Sequence, residues 1–391
     1  MKQLCVARLS VGLEKEVFEW RDVEIPTPNS DQLLVRVAAA TLSHSDIEML
    51  RCLHDTSSQE TFPWVGEGSG TVVAAGSLVV SGQSLIGKRV AFMGTQTGTF
   101  AEFAACNAAA TFLLPENVPV VDGCAFATNP FTAVAIMQIA LKKGGAFIST
   151  AGASALGKML VRTCARNKVL MIAIVRNEEE QQILYSLGAK DVFVFPWDRT
   201  NTLVEEQNRC RSEIQSAVVQ AKCMIAFDFV GGAMTGILLS VLPNGGKVYA
   251  SGNMPGDFVK CLDTKDFIKR GKSIVGLSLE RFSEKIGLAG MIKAGNLIAK
   301  HLNEDFQTDF VDFGILDVED LAYHACIERL DTSANIRIIM PSYLGSTMFI
   351  ERSLDGENQS KPAGEEWWES LTNVASQYQF KETVEDRLYR R

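Results

Sequence analysis

No stretch of this 391-residue chain approaches the run of about 18 apolar residues that a bilayer crossing needs, so no membrane insertion is expected. Positive charge is scarce: 38 Lys and Arg stand against 46 Asp and Glu, for a net charge of −8. That balance argues against nucleic acid or an anionic membrane surface as a partner. No C-x-x-C pair occurs. The nine cysteines are scattered at 5, 52, 106, 124, 164, 210, 223, 261 and 326, which suggests neither a structural zinc knuckle nor a thioredoxin-like site. An odd number without a framework fits a reducing compartment. The opening MKQLCV runs into a strand-like segment, with no apolar signal region and no acid-free Arg- and Ser-rich leader. The expected location is therefore the cytoplasm, or the mitochondrion if a leader was removed. No internal repeat is found. What is present, 47% hydrophobic and 21% charged residues, is the composition of an ordinary globular protein long enough for two domains.

The first 120 residues are rich in strands and turns. QLLVRVA (32–38) alternates, while SGTVVA (69–74) and RVAF (89–92) are short β-branched runs flanked by glycines. One short helix is expected at 45–50, with Ser45 as its N-cap. From about Gly123 the pattern changes to alternating helices and strands. The most informative stretch is AFISTAGASALGKMLVRTCARNKVLMIAIVR (146–176). AFIS is too short for a helix and follows two glycines, so it reads as a buried parallel strand. After the turn TAGAS, residues 155–165 place Leu156, Met159, Leu160 and Ala165 at helical spacing. A second apolar run, 169–175, reads as the next strand. Strand, small-residue turn, helix and strand make a βαβ unit.

Such a turn brings backbone N–H groups against a phosphate at a helix N-terminus, where the unpaired amides and the dipole favour an anion. The dinucleotide fingerprint is G-x-G-x-x-G. Here its positions are Gly152, Ser154 and Gly157, a serine replacing the middle glycine. The alternative is a helix–strand packing turn without ligand. Further helices are expected at 178–187, 203–220, 235–242 and 264–270, and strands at 191–195, 224–229, 247–251 and 273–279. Alternation of this kind predicts an α/β fold with a doubly wound parallel sheet, whose ligands bind at the carboxyl ends of the strands. Helices at 131–141, 285–302 and 318–330 and a strand at 336–340 are also expected. Residues 344–391 change character, charged and polar around Trp367-Trp368, and an amphipathic helix there suits docking.

Taken in order, TLSHSDIEML (41–50), VGEGSGTVVAAG (65–76), GKRVAF (87–92), TNPFTAVAIM (128–137), TAGASALGKMLVR (150–162), SLGAKDVF (186–193), DFVGG (228–232) and GGKVYASGNM (245–254) resemble the zinc-less medium-chain dehydrogenase/reductases, the quinone oxidoreductases and enoyl reductases. The resemblance covers about residues 1–343. It implies a Rossmann-type sheet inserted in a GroES-like mostly-β domain: 1–122 GroES-like, 123–282 Rossmann and NADP(H)-binding, 283–343 returning to the GroES-like unit, and 344–391 a C-terminal extension. Zinc-dependent members carry a catalytic cysteine where this chain has Ser43, and Gly-His-Glu where it has Val65-Gly66-Glu67. They also carry a four-cysteine lobe after about residue 93, where only Cys106 lies near. Neither a closed nor a catalytic ligand set is present, so no metal is expected. His44 reads as a turn histidine capping a backbone group.

The family's chemistry without zinc is hydride transfer from NADPH to a quinone or an electron-poor C=C bond, with the protein orienting the cofactor and placing a proton source. The implied cofactor-binding set is Thr132, Gly152, Ala153, Ser154, Ala155, Leu156, Gly157, Arg176, Ser251 and Gly252. Arg176, at the end of the second strand, is the expected reader of a 2′-phosphate. Glu178, Glu179 and Glu180 are expected beyond the ribose position, starting the next helix. Enoyl-reductase relatives supply a tyrosine shortly after the SDI-type motif. By spacing His54 falls near it, a candidate proton donor whose alternative reading is an exposed loop histidine. Two functions follow: a reductase of small-molecule quinones, enones or enoyl thioesters, or a family member that has lost catalysis and serves as a structural subunit. A homodimer, or assembly through the C-terminal extension, is expected.

Overall fold

The computed structural model describes residues 1–6, 18–43, 46, 62–63, 66–93, 97–195, 204–254, 258–313 and 334–340. The expected helices at 45–50 and 318–330, His54 and the extension 344–391 lie outside the described residues, Asp46 excepted.

The N-terminal part is antiparallel β-structure. Strands β1 (Lys2–Val6), β2 (Phe18–Asp22) and β4 (Phe62–Pro63) form a three-stranded sheet in the order β2-β1-β4. A larger sheet is built on β3 (Gln32–Leu42), with β5 (Glu67–Ala75), β6 (Arg89–Met93), β7 (Phe103–Asn107) and β8 (Thr111–Leu113). Strand β3 runs beyond the expected 32–38. Its pairing with β5 is interrupted by register shifts at Leu34/Val35 and Val37/Ala39, and such bulges break the alternation from which a strand end is read. Strands β15 (Phe310–Phe313) and β16 (Asn335–Ile339) join this sheet from far along the chain, β16 pairing antiparallel with β3. Leu33, Val35, Val37, Val72, Phe92, Phe100 and Ile338 fill its core.

Between these lies a six-stranded parallel sheet: β9 (Ala146–Ser149), β10 (Leu170–Val175), β11 (Asp191–Val194), β12 (Ile225–Asp228), β13 (Lys247–Ala250) and β14 (Ser273–Gly276). Its order, β11-β10-β9-β12-β13-β14, reverses direction at the β9/β12 junction. Strands β9 and β12 are buried at every position, because helices cover both faces and remove the selection for alternation. The helices are α1 (Thr128–Lys142), α2 (Ala155–Asn167), α3 (Glu178–Ser186), α4 (Val204–Gln220), α5 (Ala233–Val241), α6 (Thr264–Ile268) and α7 (Leu279–Lys300). Expected and observed ends differ by a few residues. The largest difference is α7, which starts at Leu279 on an N-cap from Ser278 and is bent at Gly287 (φ 63°, ψ −179°). The helical spacing breaks at that glycine, so the segment before it read as a connection.

The β-rich unit and the parallel sheet share one core. Phe112 of β8 stacks on Phe126 with centroids 5.2 Å apart and meets Phe131 of α1 at 5.2 Å. A side chain on Gly295 of α7 would strike the Phe112 ring at 2.6 Å, so that glycine permits the close approach. Ion pairs of Lys158 with Asp309 and of Arg166 with Glu304 and Asp305 tie α2 to the segment leading into β15. Helix α2 is thereby held along its length against the returning segment.

Candidate nucleotide site

The carboxyl ends of the parallel strands carry the expected residues. The chain leaves β9 through Thr150 and Ala151, the latter with φ +48°. The Gly152 amide then donates to Ile174 O at 3.0 Å, and the Ser154 amide to Ala151 O at 2.9 Å. A side chain on Gly157 would lie 2.0 Å from the Gly152 carbonyl oxygen, so only glycine lets α2 start this close to the turn. Ser154 is the N-cap of α2, and its Oγ accepts from the Gly157 amide at 3.0 Å. Helix geometry leaves the first amides, those of Ala155 and Leu156, without an intrahelical acceptor. Ala153 and the buried Ala155 and Leu156 put only small or apolar side chains around these donors. A cradle of small residues at the open, positive end of a helix fits the pyrophosphate of a dinucleotide.

Across the switch point the walls are set by Asp228, which is fully buried at the end of β12. Its Oδ1 accepts from the Thr150 hydroxyl at 3.1 Å and from the amides of Val230 and Gly231 at 3.0 and 3.1 Å. Its Oδ2 accepts from the Thr235 hydroxyl at 2.6 Å. Four donors on one carboxylate lock the loop between β12 and α5 to the end of β9. Neither Asp228 nor Thr150 was in the expected site; the signal available was DFVGG followed by Thr235. Strand β13 ends at Ala250, one residue before the expected end, so Ser251 and Gly252 both follow it. The Ser251 amide donates to Asp228 O at 2.8 Å, and a side chain on Gly252 would meet Phe229 O at 2.1 Å.

Thr132 is one turn into α1, and its hydroxyl donates to Thr128 O at 2.6 Å within the helix. At the end of β10, Glu178, Glu179 and Glu180 start α3, as expected, with Asn177 as N-cap. The Glu180 carboxylate folds back to accept from Arg176 Nε at 2.7 Å and from the Arg176 amide at 2.9 Å.

A second group of polar residues lies at the N-terminus of α1. Glu67, in the tripeptide where the zinc-dependent relatives have Gly-His-Glu, is buried, and its Oε2 accepts from the amides of Ala127 and Thr128 at 2.6 and 3.0 Å. Its Oε1 is buried without a hydrogen-bond partner. Burial raises the Glu67 carboxyl to about 7 against the two amide bonds that favour its ionised form, and the charge of Asp46 pushes it the same way. Asp46 accepts from the Ser43 amide at 2.7 Å and from its hydroxyl at 2.6 Å, and burial raises it to about 6. Among the described residues no three His, Cys, Asp or Glu side chains are grouped to hold a metal ion, and no helix is long and apolar enough to cross a membrane. Cys106 is buried beside Thr111, its thiol raised to about 11 by burial. It is thus an inert core residue.

Residues 29–116 match the alcohol dehydrogenase GroES-like domain. Prostaglandin reductase-3 of Bos taurus is 27% identical over 258 residues, 66% of this chain and 64% of that protein's length. The chain thus spans somewhat under two thirds of that relative. The mitochondrial enoyl-[acyl-carrier-protein] reductase of Xenopus tropicalis is 27% identical over 62% of this chain and 68% of its own. A crystal structure described as an NADPH:quinone reductase from Mesorhizobium loti superposes with a TM-score of 0.73 at 23% identity, covering 87% of this chain and 98% of the other; at that identity it bears on the fold. A GroES-like unit joined to a six-stranded Rossmann-type sheet is the architecture that this chain shares with that structure. The chain is similar to the medium-chain dehydrogenase/reductases, the quinone and enoyl reductases among them.

Proposed function

We propose that this protein is an NADPH-dependent, zinc-independent oxidoreductase that reduces quinones or activated C=C bonds, enones or enoyl thioesters among them. The observation that carries this reading is the cradle of Gly152, Ala153, Ser154, Ala155, Leu156 and Gly157, placed at the sheet's switch point and facing the Asp228-locked loop. NADPH bound there supplies a hydride to the substrate, and the residues of this chain do the rest. The α2 amides hold the pyrophosphate, Arg176, paired with Glu180, stands where a 2′-phosphate would be read, and the loops ending β12 and β13 wall the nicotinamide half. His54 is the candidate donor, by its spacing in the sequence, of the proton that completes the reduction; water is the alternative source. Similarity to reductases of prostaglandins, enoyl carriers and quinones supports an acceptor that is an electron-poor conjugated system. A cytoplasmic location accompanies this reading, with the mitochondrion as the alternative.

One observation favours a second reading, a family member without catalysis that serves as a structural subunit. Ser154 occupies the Gly157 amide that a glycine at this position would leave to a phosphate. Isothermal titration of the purified protein with NADPH separates the two. Stoichiometric binding, followed by oxidation of NADPH with a quinone or an enone, is expected. A well-folded protein that binds neither NADPH nor NADH would instead establish the structural-subunit reading.

A further inference from the structure

In a Rossmann sheet the ribose is read at the end of the second strand, an acid taking the 2′-hydroxyl of NAD and an arginine accommodating the 2′-phosphate of NADP. This chain places both groups on the same spot. Arg176 leaves β10 and directs its guanidinium onto Glu180, with Nε 2.7 Å from Oε1 and a second nitrogen 2.5 Å from the same oxygen. The other oxygen of Glu180 accepts the Arg176 backbone amide at 2.9 Å. The two side chains are only 27% and 13% exposed.

The position of Glu180 is fixed by the helix start. Asn177 caps α3 by accepting the Glu180 amide at 2.9 Å, which makes Glu180 the third helical residue. A glutamate there ordinarily reaches back to the amide of the capping residue. Here it reaches one residue further, to Arg176, and so covers the end of β10. Glu178 and Glu179, in the same turn, surround the position with more negative charge. The acid that reaches the end of β10, Glu180, and the arginine there, Arg176, are engaged with each other. A 2′-phosphate must displace a carboxylate that is already paired in good geometry, and must then remain beside it.

We propose that Glu180 sets the cofactor preference of this site: by holding Arg176 it offsets the gain a 2′-phosphate would bring, so that NADH competes with NADPH. This inference rests on the dinucleotide reading of the site and narrows it, since the arginine alone would predict strict NADPH use. A charged hydrogen bond that must first be exchanged for another leaves little net discrimination.

The test is isothermal titration of NADPH and NADH into the wild type, Glu180→Gln and the Glu180→Gln/Arg176→Ala double variant, with thermal melting to verify folding. Glutamine retains an acceptor for the Arg176 amide and removes the charge. Expected are wild-type affinities for the two cofactors within about tenfold of each other, and in Glu180→Gln an affinity for NADPH raised about tenfold with NADH changed less than about threefold. The double variant should lose the gain, because only a released Arg176 produces it. Binding of both cofactors with an unaltered NADPH-to-NADH ratio in a folded Glu180→Gln would overturn this inference and leave the dinucleotide reading intact. So would a wild-type preference for NADPH above about 100-fold. Binding of neither cofactor to the wild type would overturn both.

Discussion

Replacing Gly157 with alanine tests the geometry on which the site depends. The new Cβ would stand 2.0 Å from Gly152 O, 2.5 Å from Gly152 C and 2.8 Å from Ala151 O. All three are backbone atoms, and the turn that contains them is pinned by the bonds from Gly152 N to Ile174 O and from Ser154 N to Ala151 O. No rotamer change can relieve the overlap, so α2 must move away from β9. Overpacking of this kind typically costs about 1–3 kcal/mol, and a clash with fixed backbone belongs at the upper end. Alanine returns about 1 kcal/mol of helix propensity, leaving about 2 kcal/mol of destabilisation. At about 2–4 °C per kcal/mol for a unit of this size, the melting temperature should fall by about 4–8 °C. The internal control is Gly152→Ala. Its Cβ would lie 3.1 Å from Ala173 Cβ and Leu184 Cδ1 and 3.3 Å from Ile174 O; these overlaps are a few tenths of an ångström and the Leu184 methyl can turn away, so the loss should be under about 1.5 kcal/mol. Differential scanning calorimetry gives the order, and titration with NADPH shows whether displacing the α2 amides weakens binding in parallel. A Gly157→Ala protein as stable as the wild type, or a Gly152→Ala protein that is the weaker of the two, would refute the reasoning.

Glu67 makes stability depend on pH. Its folded value of about 7 exceeds the unfolded 4.5, so the unfolded chain binds fewer protons across that window and stability falls as pH rises through it, by up to about 3 kcal/mol. Urea unfolding should show Glu67→Gln gaining on the wild type between pH 5 and pH 8; parallel curves would remove the burial argument. Elemental analysis of the dialysed protein should find no stoichiometric zinc, because Ser43 and the tripeptide Val65-Gly66-Glu67 lack the cysteine and histidine ligands. One tightly held zinc per chain would overturn the zinc-independent part of the proposal.

The parallel sheet was legible because each of its strands is a short apolar run set off by glycines or followed by a helical repeat, and length and flanking residues separate such a run from a helix. The tight turn from β9 into α2 was legible for a related reason: small residues between a strand and a helix let the helix start close to the strand. What could not be read were interactions fixed by the tertiary arrangement. Asp228 and Thr150 are 78 residues apart in the chain and meet only because β12 lies beside β9. Glu67 acquires its role from the amides of Ala127 and Thr128, about 60 positions away. Glu180 was assigned to its helix correctly, but the direction of its side chain depends on a cap one turn earlier and on the end of β10. Periodicity locates an element and says little about where a long polar side chain turns at its end.

Ser154 decides whether the departure from three glycines removes a phosphate donor or replaces one. Its Oγ accepts from Gly157 N at 3.0 Å, which withdraws that amide from a ligand. A hydroxyl that accepts still has its own O–H to donate, and Ser154 stands at the partly exposed mouth of the cradle. One donor is withdrawn and one is presented, so the cradle retains its capacity while the helix gains a cap. Ser154→Gly should therefore bind NADPH much as the wild type does, because the Gly157 amide is released when the hydroxyl is lost, and stability should change by only a few tenths of a kcal/mol. Ser154→Ala loses the cap, costing about 1 kcal/mol, and gives the ligand a methyl group where the hydroxyl stood. Its affinity should fall about tenfold, the equivalent of one hydrogen bond to a charged group. Titration of the three proteins with NADPH settles the point: equal losses in the glycine and alanine variants would show that the hydroxyl has no substitute, and a glycine variant that binds more than about tenfold tighter would show that the serine obstructs the site.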